Sequence, residues 1–261
     1  MNIVGVIPCA GMATRLGSIV KSKEILPLFG DDPNRQNLVY ATPLLNAFKY
    51  AGIEKVNFVL RKGKWDIPEL FGNGKAYDMH FNYQIMEYPH GVPFTIYETM
   101  PFVKNDYVAL GFPDMVFKPK NVFEILKNKI QSADIVIALF PIGAKNKWDM
   151  VEFDDQNRIS DIIVKQDRQD LKYGWSMAIW GPGFSELLIK TVESHIEQGT
   201  DGSITLENSN TREIYPGDIM RMAIKNGLKV EYEIFEDGKC LDLGTWDDLD
   251  KFHKNPDYWL E

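Results

Sequence analysis

The chain has 261 residues, 44% of them hydrophobic, 12% aromatic and 25% charged, with a formal net charge of −8. That is enough for one large domain or two small ones with a sizeable core. The acidic balance, with no basic cluster interleaved with aromatics, excludes a nucleic-acid partner.

No apolar run reaches the roughly 18 residues of a membrane-crossing helix. The N-terminus has no basic segment followed by an apolar stretch and a cleavage site. No membrane partner is therefore expected, and the expected location is cytoplasmic. The two cysteines, Cys9 and Cys240, lie far apart. They fit a reducing compartment and read as small core residues, not metal ligands.

Ile3 to Ile7 reads as a buried strand. Ala10-Gly11-Met12-Ala13-Thr14 then breaks the pattern, and Arg15 and Lys23 follow with little negative charge between them. A loop of small residues lets backbone N–H groups approach an anion, and two cations can neutralise it. A strand running into such a turn is the usual opening of an α/β nucleotide-binding domain. The loop is neither GxxxxGK[ST] nor GxGxxG, because Ala13 stands where a second glycine is needed. Spacing alone leaves two readings, a phosphate cradle or a plain strand–loop–helix link.

Leu38 to Tyr50 has helical spacing and ends at Gly52. Lys55 to Leu60 is a strand, and Arg61 to Phe71 holds a short helix ended by Gly72-Asn73-Gly74. Phe81 to Met86 is a strand, Tyr88 to Gly91 a turn and Val92 to Phe102 a helix. Tyr107 to Gly111 is another buried strand. Strands and helices alternating through short links argue for parallel pairing. In such sheets ligands sit beyond the carboxyl ends of the strands. Asp114 is there, either as a site residue or as a turn former or helix cap.

Asn121 to Ile130 reads as a helix and Asp134 to Pro141 as a strand. A β-rich part follows: Val151 to Ile159 as strand, polar turn and return strand, then Ile162 to Lys165 and Trp175 to Trp180. Phe184 to His195 is a helix, Gly199 to Asn210 a mobile loop and Glu213 to Asn226 a helix. Leu228 to Phe235 is a strand and Trp246 to His253 the last helix. Asp247, Asp248 and Asp250 read as a solvated helix face. The four histidines are scattered without an i,i+4 pair and carry no assignment.

The two ends of the chain resemble the sugar-nucleotide pyrophosphorylases, whose opening pattern is AAGxGTRLxPxTxxxPKxLLP. The matching residues are Cys9-Ala10-Gly11-Met12-Ala13-Thr14-Arg15-Leu16 and Ser22-Lys23-Glu24-Ile25-Leu26-Pro27. Ala13 replaces a glycine and Ser22 a proline. Leu110-Gly111-Phe112-Pro113-Asp114 resembles the family's LGD with two extra residues. Asp242-Leu243-Gly244-Thr245 resembles its D-x-G-T. Gly91-Val92-Pro93, with Glu87 upstream, resembles the segment that faces the nucleobase. Trp148 to Asp154 resembles YGVVEFD and Val164-Lys165-Gln166 resembles EKP, with Asp149 in place of a glycine and Val164 in place of the glutamate.

The resemblance implies a GT-A-like nucleotidyltransferase fold, a Rossmann-like three-layer α/β/α mainly parallel sheet with a small β-rich sugar-binding insertion. It implies one domain, with about 1–118 for nucleotide, about 119–230 for sugar phosphate and about 231–261 closing it. The implied reaction joins an NTP (dTTP, UTP or CTP) to a sugar 1-phosphate, giving an NDP-sugar and pyrophosphate with Mg²⁺. Arg15 and Lys23 are then catalytic. Ala10, Gly11, Met12, Ala13, Thr14, Glu87 and Gly91 bind nucleotide. Asp149, Glu152 and Lys165 bind sugar phosphate, and Asp114 and Asp242 hold the metal. Relatives are often homo-oligomers, though no interface signature stands out. The alternatives are transfer to a non-sugar phosphate or phosphonate, suggested by Val164 and Asp149, and a non-catalytic nucleotide-sugar-binding homologue.

Overall fold

The computed structural model describes residues 1–17, 21–30, 35, 38–86, 90–143, 145–198, 204–206 and 213–260. The first half alternates strand and helix. In order these are β1 (Ile3–Cys9), α1 (Thr42–Tyr50), β2 (Lys55–Arg61), α2 (Asp66–Phe71), β3 (His80–Met86), α3 (Val92–Tyr97), α4 (Met100–Val103) and β4 (Tyr107–Leu110). Successive side chains of a strand point to opposite faces. Ile3, Ile7 and Cys9 therefore join a core with Leu44 and Phe48 of α1 and Ile67 and Phe71 of α2. Val4 and Val6 join a second core with Phe94 of α3 and Met100 and Val103 of α4. A strand apolar on both faces is covered by helices on both, which makes three layers.

The second half adds β5 (Met115–Lys118), α5 (Val122–Lys129), β6 (Ile135–Pro141), β7 (Asp149–Phe153), β8 (Ile159–Val164), β9 (Tyr173–Trp180) and α6 (Pro182–Glu193). It continues with β10 (Ile196–Gln198), β11 (Ile204–Leu206), α7 (Pro216–Lys225), β12 (Val230–Ile234), β13 (Lys239–Asp242), α8 (Trp246–Lys254) and α9 (Pro256–Leu260). The nine-stranded sheet runs β12-β6-β9-β4-β1-β2-β3, with β7 beside β9 and β8 beside β7. β1 to β4 run parallel, β6 and β12 are parallel to each other, and β9 is antiparallel to β4 and β6. The sheet is mostly parallel, with a β-rich addition at β7 and β8, as expected from sequence.

Several boundaries differ from the sequence reading. The helix expected from Leu38 starts at Thr42, because residues 38–40 instead pair back onto 26–28 through Leu28 N–H to Leu38 O and Tyr40 N–H to Leu26 O. The helix expected over Val92 to Phe102 is two helices. Pro101 has no N–H for the carbonyl of Tyr97, and Thr99 Oγ1 donates to Ile96 O at 2.7 Å. Within the loop expected over Gly199 to Asn210, Ile204–Leu206 pairs antiparallel with Ile196–Gln198, and the rest lies outside the described residues.

The sequence reading contains no ribbon of β5 and β13. The ribbon is antiparallel, with Asp242 opposite Met115. Val116, Leu241, Leu243, Leu249, Phe252 and Trp259 form a third core that fastens α8 and α9 beneath it.

Candidate active site

The carboxyl ends of β1 and β4 open into a cleft of about 410 Å³. Ala10, Gly11, Met12, Arg15, Lys23, Gly91, Asp114, Asp149, Lys165 and Asp242 all line it. Residues spread over most of the chain thus meet in one place.

The β5–β13 ribbon brings the two acids together. Asp114 precedes Met115, the register partner of Asp242, and Asp114 O accepts the Leu243 N–H at 2.8 Å. The two residues that lengthen the LGD-like turn move Asp114 off the end of β4 to the start of β5, and Phe112 reaches the cleft wall.

Lys23 Nζ donates to Asp114 Oδ2, with only 15% and 13% of the two side chains exposed. Burial pushes the Asp114 carboxyl up, but the charge and hydrogen bond of Lys23 outweigh it and hold it below its usual range. For Lys23 burial acts downward, Asp114 acts upward, and the net direction is up. Both groups stay charged. Arg15 Nη2 lies 3.8 Å from Asp242 Oδ2, and the arginine side chain is 57% exposed. A Cβ on Gly244 would come within 2.8 Å of both Arg15 Nη2 and Asp242 Oδ1, so glycine leaves room for the two side chains where they lie.

Asp242 Oδ1 is buried and has no hydrogen-bond partner among the described residues. Burial first, and the Asp114 charge second, push its carboxyl up to about 6. A buried carboxylate oxygen without a partner, beside a second carboxylate, fits a hard divalent cation that takes oxygen ligands. Among the described residues no group of three or more His, Cys, Asp or Glu is arranged to hold a metal. Mg²⁺ typically uses one or two carboxylates and completes its shell with phosphate oxygens and water.

On the opposite wall, Asp149 at the start of β7 pairs in register with Val164 of β8 and Trp175 of β9. The backbone N–H groups of Gly217, in the first turn of α7, and of Lys165 face the Asp149 carboxylate and act to lower its pKa. A Cβ on Gly217 would come within 2.9 Å of Asp149 Cγ. Asp149 Oδ1 is buried without a partner among the described residues, as is the indole Nε1 of Trp175. Burial, opposed by the Lys165 charge, raises the Asp149 carboxyl to about 6. Lys165 has φ +46°, in the left-handed region, and its Nζ stands 3.8 Å from the Tyr215 ring centroid.

No family model matches the chain. The low-salt glycan biosynthesis nucleotidyltransferase of Haloferax volcanii is 24% identical over 253 residues, covering 95% of this chain and 62% of the relative. The D-glycero-alpha-D-manno-heptose 1-phosphate guanylyltransferase of Campylobacter jejuni is 27% identical over 157 residues, covering 59% of this chain and 65% of the relative. The chain therefore spans less than two thirds of the length of these curated relatives.

A solved structure described as a glucose-1-phosphate thymidylyltransferase from Bacillus anthracis, in complex with sucrose, superposes with a TM-score of 0.79. The identity is 18%, over 97% of this chain and 94% of that one. A UDP-glucose pyrophosphorylase complexed with UDP-glucose gives a TM-score of 0.75 at 17% identity, over 97% and 98%. This is the fold of the sugar-nucleotide pyrophosphorylases.

Thr14 opens a single 3-10 turn, Thr14–Leu16. Ala13 is not among the residues lining the cleft. It holds φ +54°, a conformation that glycine adopts freely and alanine does not. Glu87 lies outside the described residues. Glu152 does not line the cleft. Strand alternation turns it away from the Asp149 face, and its carboxylate meets Arg168 Nη2 at 3.1 Å.

Sequence reasoning missed Lys147, Trp148, Trp175, Glu213 and Tyr215, all lining the cleft. Lys147 also reaches Asp248 at 3.1 Å, so that acid does more than solvate a helix face. The one available signal was the aromatic content around 148 and 175, which reads equally well as core.

Proposed function

We propose that the chain is a nucleotidyltransferase that joins an NTP and a sugar 1-phosphate, giving an NDP-sugar and pyrophosphate. The single observation that carries this reading is the shared cleft, with Arg15, Lys23, Asp114 and Asp242 on one side and Asp149, Lys165 and Trp175 on the other. An oxygen of the sugar phosphate attacks the α-phosphorus, and the bond to the bridging oxygen of pyrophosphate breaks. The attacking phosphate is already anionic, so no protein nucleophile or general base is required. Catalysis is then positioning and charge stabilisation.

In this reading Ala10, Gly11 and Met12 cradle the triphosphate, Arg15 meets the leaving pyrophosphate and Lys23 the α-phosphoryl group. Gly91 lies beneath the nucleobase, and Lys165 holds the acceptor phosphate. Asp114 and Asp242 would hold Mg²⁺, whose chemistry when bound is to neutralise charge on the phosphate oxygens. Residues about 1–118 and about 119–230 serve nucleotide and acceptor within one domain.

The acceptor side supports a hydroxylated substrate. Asp149 Oδ1 needs a donor and Trp175 Nε1 needs an acceptor, and a hydroxyl supplies both. Asp149 thus takes over from the carboxylate lacking at Val164, its direct partner across the β7–β8 pair. A second reading, a phospho-alcohol carrying a cationic head, is supported by Trp148, Trp175 and Tyr215 around the same carboxylate. A cation would satisfy Asp149 and leave the Trp175 N–H unpaired.

No helix among the described residues is long and apolar enough to cross a membrane. Cys9 and Cys240 are free and buried, which supports a reducing compartment. The test is pyrophosphate release with Mg²⁺, each of ATP, GTP, CTP, UTP and dTTP, and a panel of sugar 1-phosphates alongside phosphocholine. Release that needs both substrates and the ion is expected for one sugar 1-phosphate. Release with phosphocholine alone selects the second reading, and silence throughout rejects both.

A further inference from the structure

Lys23 is gripped through both of its neighbours in sequence. Ser22 donates its backbone N–H and its Oγ–H to the two carboxylate oxygens of Asp66 at 2.7 and 2.6 Å. On the other side Glu24, fully buried, takes two hydrogen bonds from Lys64 Nζ at 2.7 and 2.8 Å, and the Lys64 side chain is itself only 4% exposed. Lys64 lies in the short link between β2 and α2, and Asp66 opens α2, so the segment that follows the strand next to β1 supplies both anchors.

The backbone of Ser22 sits at φ −58° and ψ 134°, and that φ is the value a proline ring would impose. Serine does not fix φ by itself. Here a bidentate, charge-assisted pair does so, and one of its bonds uses an N–H that proline lacks. The Glu24–Lys64 pair cannot slip cheaply either, because separating it strands a buried charge. Between these two anchors Lys23 is aimed at Asp114.

We propose that Asp66, acting through Ser22 and opposed by the buried Glu24–Lys64 pair, is a positioning residue that fixes Lys23 for the reacting phosphate. It does for the backbone at 22 what a proline ring would otherwise do. This rests on the role given to Lys23 above, and the variants are chosen to separate the two.

The experiment uses the full chain with Asp66→Ala, Asp66→Asn, Ser22→Pro, the Ser22→Pro/Asp66→Ala double and Lys23→Ala. kcat and KM come from pyrophosphate release with the active substrate pair. MgUTP affinity comes from calorimetry, and Tm from thermal melts. Asp66→Ala is expected to lower kcat about 10- to 100-fold with little change in acceptor KM, since a misplacement of about 1 Å has that effect. Asp66→Asn, which keeps one acceptor and the shape, falls between it and the parent chain.

The double is expected to recover most of the lost kcat, because the ring restores φ without the carboxylate. A merely structural role would let Tm and activity fall together with no such rescue. Near-parental kcat in Asp66→Ala, with Lys23→Ala inactive, overturns the positioning role alone. So does a double that folds with parental Tm and stays as slow as Asp66→Ala. Full turnover in Lys23→Ala overturns the role of Lys23 and the positioning role with it. If no acceptor supports turnover, the same pattern of loss and rescue is expected in MgUTP affinity, and its absence there overturns the proposal.

Discussion

The two walls of the cleft are built on different principles. On the phosphate wall nearly every charge is matched within the chain: Lys23 with Asp114, Arg15 with Asp242, Glu24 with Lys64, and Ser22 with Asp66. On the acceptor wall Asp149 Oδ1 and Trp175 Nε1 are buried without partners among the described residues, and Lys165 is held in a left-handed conformation over Tyr215. A wall that is already paired is pre-organised and tolerant of what it meets, since a triphosphate differs little from one nucleotide to another. A wall with unmet hydrogen bonds discriminates. A ligand that satisfies them gains, and one that does not leaves buried polar groups unpaired. The exception on the phosphate wall is Asp242 Oδ1, also buried without a partner among the described residues, where a divalent ion fits.

The contrast is broken most directly on the phosphate wall. Arg15→Ala, Lys23→Ala and Asp242→Asn are each expected to reduce turnover by about 10²-fold or more while the thermal melt shows an intact fold. Near-parental turnover in any of them removes that residue from the chemistry.

On the acceptor wall the losses are smaller and selective. Asp149→Asn is expected to lower kcat/KM for the acceptor about 10- to 100-fold, as for a hydrogen bond to a charged group. Trp175→Phe is expected to lower it about 3- to 10-fold, as for a neutral one. Nucleotide affinity, read by calorimetry, should not move. A fall in nucleotide affinity would show that the walls are not separable.

Asp149 also sharpens the contrast through pH. Its carboxyl is held near 6, against an ordinary 3.8, chiefly by burial. Between those values the folded chain binds a proton that the unfolded chain has released. The contribution of Asp149 to stability therefore falls as pH rises from about 4 to about 6 and stays lost above that. Asp149→Asn should accordingly raise stability at pH 7, by about 1–3 kcal/mol, and flatten that part of the profile in denaturant unfolding. The variant is then more stable and less active. The smallest effect expected is at Ala13, whose φ of +54° disfavours alanine. Ala13→Gly should stabilise the fold by about 0.5–1 kcal/mol, strain relief less the added chain entropy.

The phosphate wall was the more legible in sequence, for a physical reason. Its loop, its arginine and its lysine follow one strand at short spacings, so local pattern carries the geometry. The mostly parallel sheet was legible for the same reason, because apolar runs such as Ile135–Pro141 and helical periodicities are local. The acceptor wall depends on which strands pair. That Val164 and Trp175 flank Asp149 follows from the β7–β8 and β7–β9 registers, which no single strand's periodicity contains. The same holds for the β5–β13 ribbon, whose strands are four residues each, too short to stand out. Only that long-range pairing brings Asp114 beside Asp242. Asp66 and Lys64 were invisible as anchors because their partners, Ser22 and Glu24, come from another strand's link. In contrast, the break at Pro101 is local, because proline lacks the N–H that a continuous helix needs there.

The most direct test of transfer across the two walls is the exchange of labelled pyrophosphate into UTP or the active nucleotide. Attack by a bound acceptor phosphate, with no protein nucleophile, predicts no exchange with nucleotide, Mg²⁺ and pyrophosphate alone. It predicts prompt exchange once the sugar 1-phosphate is added. Exchange without any acceptor would mean that the chain itself takes the nucleotidyl group, which would contradict direct transfer between the two walls.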